Sequence, residues 1–210
     1  MHANPKAGAA ALIVGWVAYI ALMAVHPTHL GGPSLGHVDL NDAVHWTALL
    51  VVPVLAYGYL ELTRWLGLSR ALPPLGFSFI GFSLFAGMVA GTLNGLVMPQ
   101  VLQPSLPGDI GAETVDALRR LVWWTNQGFS AIHYALAAIA TGVFGMAWLS
   151  RPGGRPLGVA GLLIAAAFLL WLASGTWRPD VHGALVVVLA LGAWSISAAF
   201  AMRGDARPED

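Results

Sequence analysis

Six apolar runs, each long enough to cross a bilayer and separated by short turn-rich connectors, constrain this chain more than any other feature. They begin near Ala7, His45, Leu75, Leu121, Leu157 and Val181, and the expected spans are 7–25, 45–64, 75–98, 121–149, 157–174 and 181–202. A helix rises about 1.5 Å per residue, so roughly 17 to 25 apolar residues cover the hydrocarbon layer. Only 10% of the residues are charged, well below the roughly 25% usual in soluble domains. Backbone N–H and C=O groups find no water in lipid, so each span has to pair them internally as a helix. The connectors "HPTHLGGPSLGHVDLND", "PQVLQPSLPGD" and "RPGGRP" are too short for a second domain and rich in Gly and Pro. The expected fold is an all-α polytopic membrane bundle of six transmembrane helices, one integral domain over residues 1–210, with the lipid bilayer as its first partner.

Charge placement gives an orientation. Lys6, Arg64, Arg70, Arg151, Arg155, Arg203 and Arg207 fall on one side, against Arg119, Arg120 and Arg178 on the other. The positive-inside bias then predicts both termini in the cytoplasm and a multi-pass protein of the cell (inner) membrane. The first run, preceded by Lys6, has the look of a secretory leader, and with five more spans behind it is read as a retained anchor. A net charge of zero gives no footprint for nucleic acid. The absence of cysteine removes disulfides, thiolate metal sites and cysteine nucleophiles. No H-E-x-x-H, G-x-S-x-G or phosphate-binding glycine loop is present, and no catalytic residue is assigned.

Chemistry is therefore sought among His, Arg, amide and carboxylate groups. Three similar stretches, "AVHWTAL" from 43, "AIHYAL" from 131 and "DVHGAL" from 180, place a histidine near the head of a span. His45 stands 19 residues from Arg64, His133 stands 18 from Arg151, His182 stands 21 from Arg203, and His26 stands 20 from Lys6. These separations correspond to about 27 to 32 Å of helix, which predicts all four at one depth near the outer interface. Imidazole ligates Zn, Cu, Fe and Ni, and two histidines on facing helices can hold a haem iron. His26, His45, His133 and His182 are accordingly candidate ligands for haem or a transition metal, with His45, His133 and His182 as the candidate metal set. Interfacial imidazoles that simply face water are the plainer alternative.

Arg119 and Arg120 are candidate partners for a haem propionate or another anion, although Asp116, three and four residues earlier, offers them an ordinary surface ion pair. Asn94, Asn126 and Gln127 are candidate lining for an outward-opening cavity, since polar groups in a span normally face the bundle or water. Ser83, Gly87, Gly91 and Gly95 recur every four residues, which predicts a close helix contact and a surface for a homo-oligomer through Gly87, Gly91 and Gly95. Pro53 is expected to kink its span, and Glu61 to pair with Arg64. Trp16 and Trp194 are expected to pack inside the bundle. His29 and His37, near Asp39 and Asp42, are read as an exposed loop, and His2 as part of a mobile terminus. Three functions follow: an outward-facing histidine site for haem or a metal, a small-solute carrier or channel lined by Asn94, Asn126, Gln127 and His133, or a non-catalytic assembly or sensor subunit.

Overall fold

Asparagine and proline set where the helices start. Asn4 accepts a hydrogen bond from the Ala7 N–H at 3.1 Å, with Pro5 in the first helical position. Pro73 and Pro156 sit equally early in later helices, where a missing N–H costs nothing. Two helices end on glycines in the left-handed region, Gly67 at φ 110° and Gly175 at φ 67°.

The computed structural model describes residues 3–26, 34–35, 38–102, 111–176 and 181–204. Six helices in it are long and apolar enough to cross a membrane: α1 (Pro5–Ala24), α2 (Leu40–Leu66), α3 (Leu72–Val101), α4 (Ala112–Leu149), α5 (Arg155–Ala173) and α6 (Val181–Gly204). The chain is a multi-pass membrane protein of helices. A two-residue antiparallel pairing, Ser34–Leu35 with Val38–Asp39, precedes α2. Pro53 lies inside α2 without ending it.

In the bundle α1 packs between α2 and α6, α4 packs between α3 and α5, and α2 meets α3. Leu12, Leu55, Leu62, Phe144 and Met202 fill the centre. Val14, Val17, Leu50, Phe82, Phe85, Leu163, Leu170 and Phe200 point outward, as a lipid-facing surface requires. A polar cross-link runs through the core: the Trp16 indole donates to the Tyr59 hydroxyl at 3.1 Å, and the Tyr59 and Ser195 hydroxyls are hydrogen-bonded at 2.7 Å. The Trp194 indole donates to the Leu157 carbonyl at 3.0 Å. Both tryptophans are thus packed inside and hydrogen-bonded, as buried donors need to be.

Glycine brings backbones together where α4 crosses α5, since a Cβ on Gly145 would lie 2.9 Å from the Gly158 carbonyl oxygen. The stripe on α3 works differently. A Cβ on Gly87 would stand 3.0 Å from the His133 ring, one on Gly95 would overlap the His45 ring, and one on Gly91 would meet nothing within 4 Å. At Gly87 and Gly95 this face receives the chain's own imidazoles, and Gly91 borders the chain's own cavity.

At the basic end, where α1 begins and α2 finishes, the Glu61 carboxylate is 2% exposed. It accepts the Asn4 N–H at 2.6 Å and pairs with Arg64, so it neutralises the positive end of the α1 dipole as well as its neighbour's charge. The Arg151 guanidinium lies 3.6 Å over the Trp65 ring and donates to the Trp65 carbonyl at 3.2 Å, setting the ends of α2 and α4 level. At the opposite end α4 runs on as one helix from Ala112, and its 38 residues, about 57 Å, exceed the hydrocarbon thickness.

Candidate functional site

The site begins where α1 gives out and α2 starts. His26 follows the last turn of α1, and His45 lies in the second turn of α2. Asn41, one turn before His45, has a buried side chain that donates to the Gly95 carbonyl at 2.8 Å. Its own carbonyl stands 2.8 Å from His45 Nδ1. A carbonyl can only accept, so the proton of a neutral His45 sits on Nδ1, and the lone pair is on Nε2.

On the facing helix the backbone widens into a π turn over Leu93–Val97. Such turns insert a residue into the helical ladder and recur at functional sites. Here the π turn, together with the missing Cβ of Gly95, admits the His45 ring against the α3 backbone. His45 is 5% exposed.

His26 reaches the same place from α1. Its Nε2 lies 3.3 Å from Nε2 of His45, with the rings edge-on at 75° and centroids 4.9 Å apart. Two lone pairs cannot face each other at that distance, so either His26 donates an N–H to His45 or a cation sits between them.

His133 is held elsewhere. Its Nδ1 lies 2.8 Å from the Ser83 carbonyl, while the Ser83 hydroxyl donates back to the His133 carbonyl at 2.8 Å. The same argument puts its proton on Nδ1 and its lone pair on Nε2. The ring lies against Gly87, eight residues toward the basic end from the Gly95 that meets His45, which is about 12 Å along α3. The inner ends agree: Trp65 and Trp148 are ring neighbours, and His45 is 20 residues from Trp65 where His133 is 15 from Trp148, a difference of about 7.5 Å. The expected common depth therefore fails for His133. Arg151 lies in the turn beyond the end of α4 at Leu149, so counting to it added two residues, about 3 Å of that difference.

A cavity of about 300 Å³ joins these residues. His26, His45 and His133 line it together with Asn94, Asn126 and Gln127. Asn126 is 8% exposed, and its amide has no hydrogen-bond partner among the described residues. A narrower lobe of about 40 Å³ shares His45 and His133 and ends on Trp16, Leu55 and Leu84.

The other expected site residues part company. Arg119 and Arg120 are exposed and both pair with Asp116 at 2.6 Å, and neither lines the cavity. The backbone of His182 lies in the first turn of α6, and its side chain lies outside the described residues, as do His2, His29 and His37. Among the described residues no three His, Asp or Glu side chains converge on a point suited to a metal. Asn41 and the π turn escaped the sequence reading, and Ser83 was read only as part of the small-residue stripe. The spacing of Asn41 one turn before His45 was the only signal available for the first, and no residue pattern announces a π turn.

No known protein family, curated protein or solved structure matches this chain.

Proposed function

We propose that the protein binds a transition-metal ion reversibly between His26 and His45, at the end of the bundle that the positive-inside bias turns away from the cytoplasm of a cell (inner) membrane. The observation that carries this reading is the 3.3 Å between the two Nε2 atoms. Two nitrogens at about 2.0 to 2.1 Å from a tetrahedral ion stand about 3.3 to 3.4 Å apart, so the rings already have the spacing a Zn-like ion asks for. The Nδ1–H bond from His45 to a backbone carbonyl is the usual means of orienting a ligating imidazole. Haem suits the pair less well, since axial ligands on opposite faces stand about 4 Å apart with a macrocycle between them.

The character of the site follows from what surrounds it. The amides of Asn94 and Asn126 and water are available for the remaining positions, and neither a carboxylate nor a thiolate adds charge among the described lining residues. Such a neutral donor set favours a borderline ion held loosely, for acquisition and hand-over rather than permanent structure. The open-channel reading is less favoured, because the cavity ends on Trp16, Leu55 and Leu84. The test is calorimetric titration of Zn²⁺ into chelator-stripped protein in detergent. His26→Ala and His45→Ala are each expected to weaken the first binding event by at least about tenfold with melting temperature retained. Wild-type affinity in both variants would remove the proposal.

A further inference from the structure

We infer that the cavity takes an uncharged aromatic molecule bearing a hydroxyl, with its ring in the slot between the His45 and His133 imidazoles and its O–H donated to Nε2 of His133. No metal ion is needed at the outer pair for this. The slot is made by α3. The His133 ring lies against Gly87 and the His45 ring against Gly95, about 12 Å apart along the helix, and between them a Cβ on Gly91 would meet nothing within 4 Å. Gly91 borders both the cavity of about 300 Å³ and its narrower inner lobe. An apolar cavity of about 150 Å³ is enough for benzene, so this one has room for a substituted or two-ring aromatic.

The lining selects the chemistry. No Asp, Glu, Lys or Arg occurs among the described lining residues, so a charged ligand would be buried without a counter-charge. Trp16, Leu55 and Leu84 close the inner end, and Tyr19 and Tyr134 add ring surface against which an aromatic face or edge packs well. Into this wall His133 brings one directional group. Its Nδ1 is spent on the Ser83 carbonyl, and Nε2 is left as an acceptor without a partner among the described residues. A mostly apolar pocket with one fixed acceptor fits a mostly apolar ligand with one donor, because an unpaired polar group on either side is what such a site penalises. A hydroxyl is the smallest such donor, and it rotates to meet a fixed lone pair. At the outer end Asn126, Gln127 and Ser130 line the same cavity with no hydrogen-bond partner for their side chains among the described residues, so polar substituents on the far edge of the ring are met as well.

The test uses naphthol and methoxynaphthalene, the same two rings with and without the O–H, in equilibrium dialysis against the full chain in detergent with a chelator present. The chelator removes metal, so failure here and failure of the Zn²⁺ reading are separate results. Saturable binding of naphthol is expected above its partition into protein-free micelles, with methoxynaphthalene at least about tenfold weaker. His133→Ala should erase that preference by weakening naphthol alone. Gly91→Leu, which fills the slot from open space, should weaken both compounds by at least about tenfold with melting temperature retained, and it decides the matter if His133→Ala does not fold. Uptake no greater than that of empty micelles overturns the site. Equal affinity for the two compounds overturns the bond to His133, and binding untouched by Gly91→Leu puts the ring outside the slot and overturns the inference as well.

Discussion

His45 shows how much a single histidine's meaning depends on its neighbours. The sequence marks it as an imidazole at the mouth of a span, a position that water or headgroups satisfy just as well. What singles it out is the Asn41 carbonyl one turn earlier and the His26 ring against it, two contacts made by backbone geometry and by the end of another helix. His133 was legible as a candidate but misplaced in depth, because a residue count measures length along one helix and not how neighbouring helices are offset. Arg119 and Arg120 were legible both ways, and both form the surface pair with Asp116. A pH dependence follows at this scale. Protonated imidazole cannot ligate, so Zn²⁺ affinity should fall as pH drops, by up to about tenfold per pH unit for each imidazole that must give up a proton. Titrations from about pH 4.5 to 7.5 check it, and an affinity that stays flat across that whole window would mean that histidine is not the ligand.

At the scale of the element, α3 carries the site. Its four-residue stripe of small side chains was legible, but the pattern alone cannot say whether small residues admit a neighbouring backbone or a large ring. The rings of His45 and His133 take that space, while the close backbone approach lies between Gly145 of α4 and Gly158 of α5, where the spacing is less regular. Gly95→Ala should therefore push on the His45 ring, costing about 1 to 3 kcal/mol in stability and weakening the first binding event. Gly91→Ala adds its methyl to open space and should stay within about 0.5 kcal/mol of the wild type. Thermal melts in detergent compare the two, and an equal response from both would show that the π turn does not hold His45 as described.

For the whole molecule, six spans were readable because lipid imposes both a length and a composition on every crossing. Their ends were less so. α2 begins at Leu40 and α4 at Ala112, ahead of the expected 45 and 121, because hydropathy records where lipid stops and a helix continues into polar sequence such as "AETVDALRR". The segment that carries Asn41 was hidden by that difference. Topology remains to be read in the cell: a reporter at the C-terminus should behave as cytoplasmic, and one inserted between 103 and 110 as external. The reverse pattern would turn the histidine-bearing cavity toward the cytoplasm.

The account stands or falls on whether His26 and His45 share one ion, and X-ray absorption of the full chain loaded with a single equivalent of Zn²⁺ addresses that directly. Two nitrogens at about 2.0 to 2.1 Å with the outer-shell scattering of imidazole are expected, falling to one in His26→Ala. A shell of oxygen alone, or a spectrum unchanged in the His26→Ala, His45→Ala double variant, would contradict it.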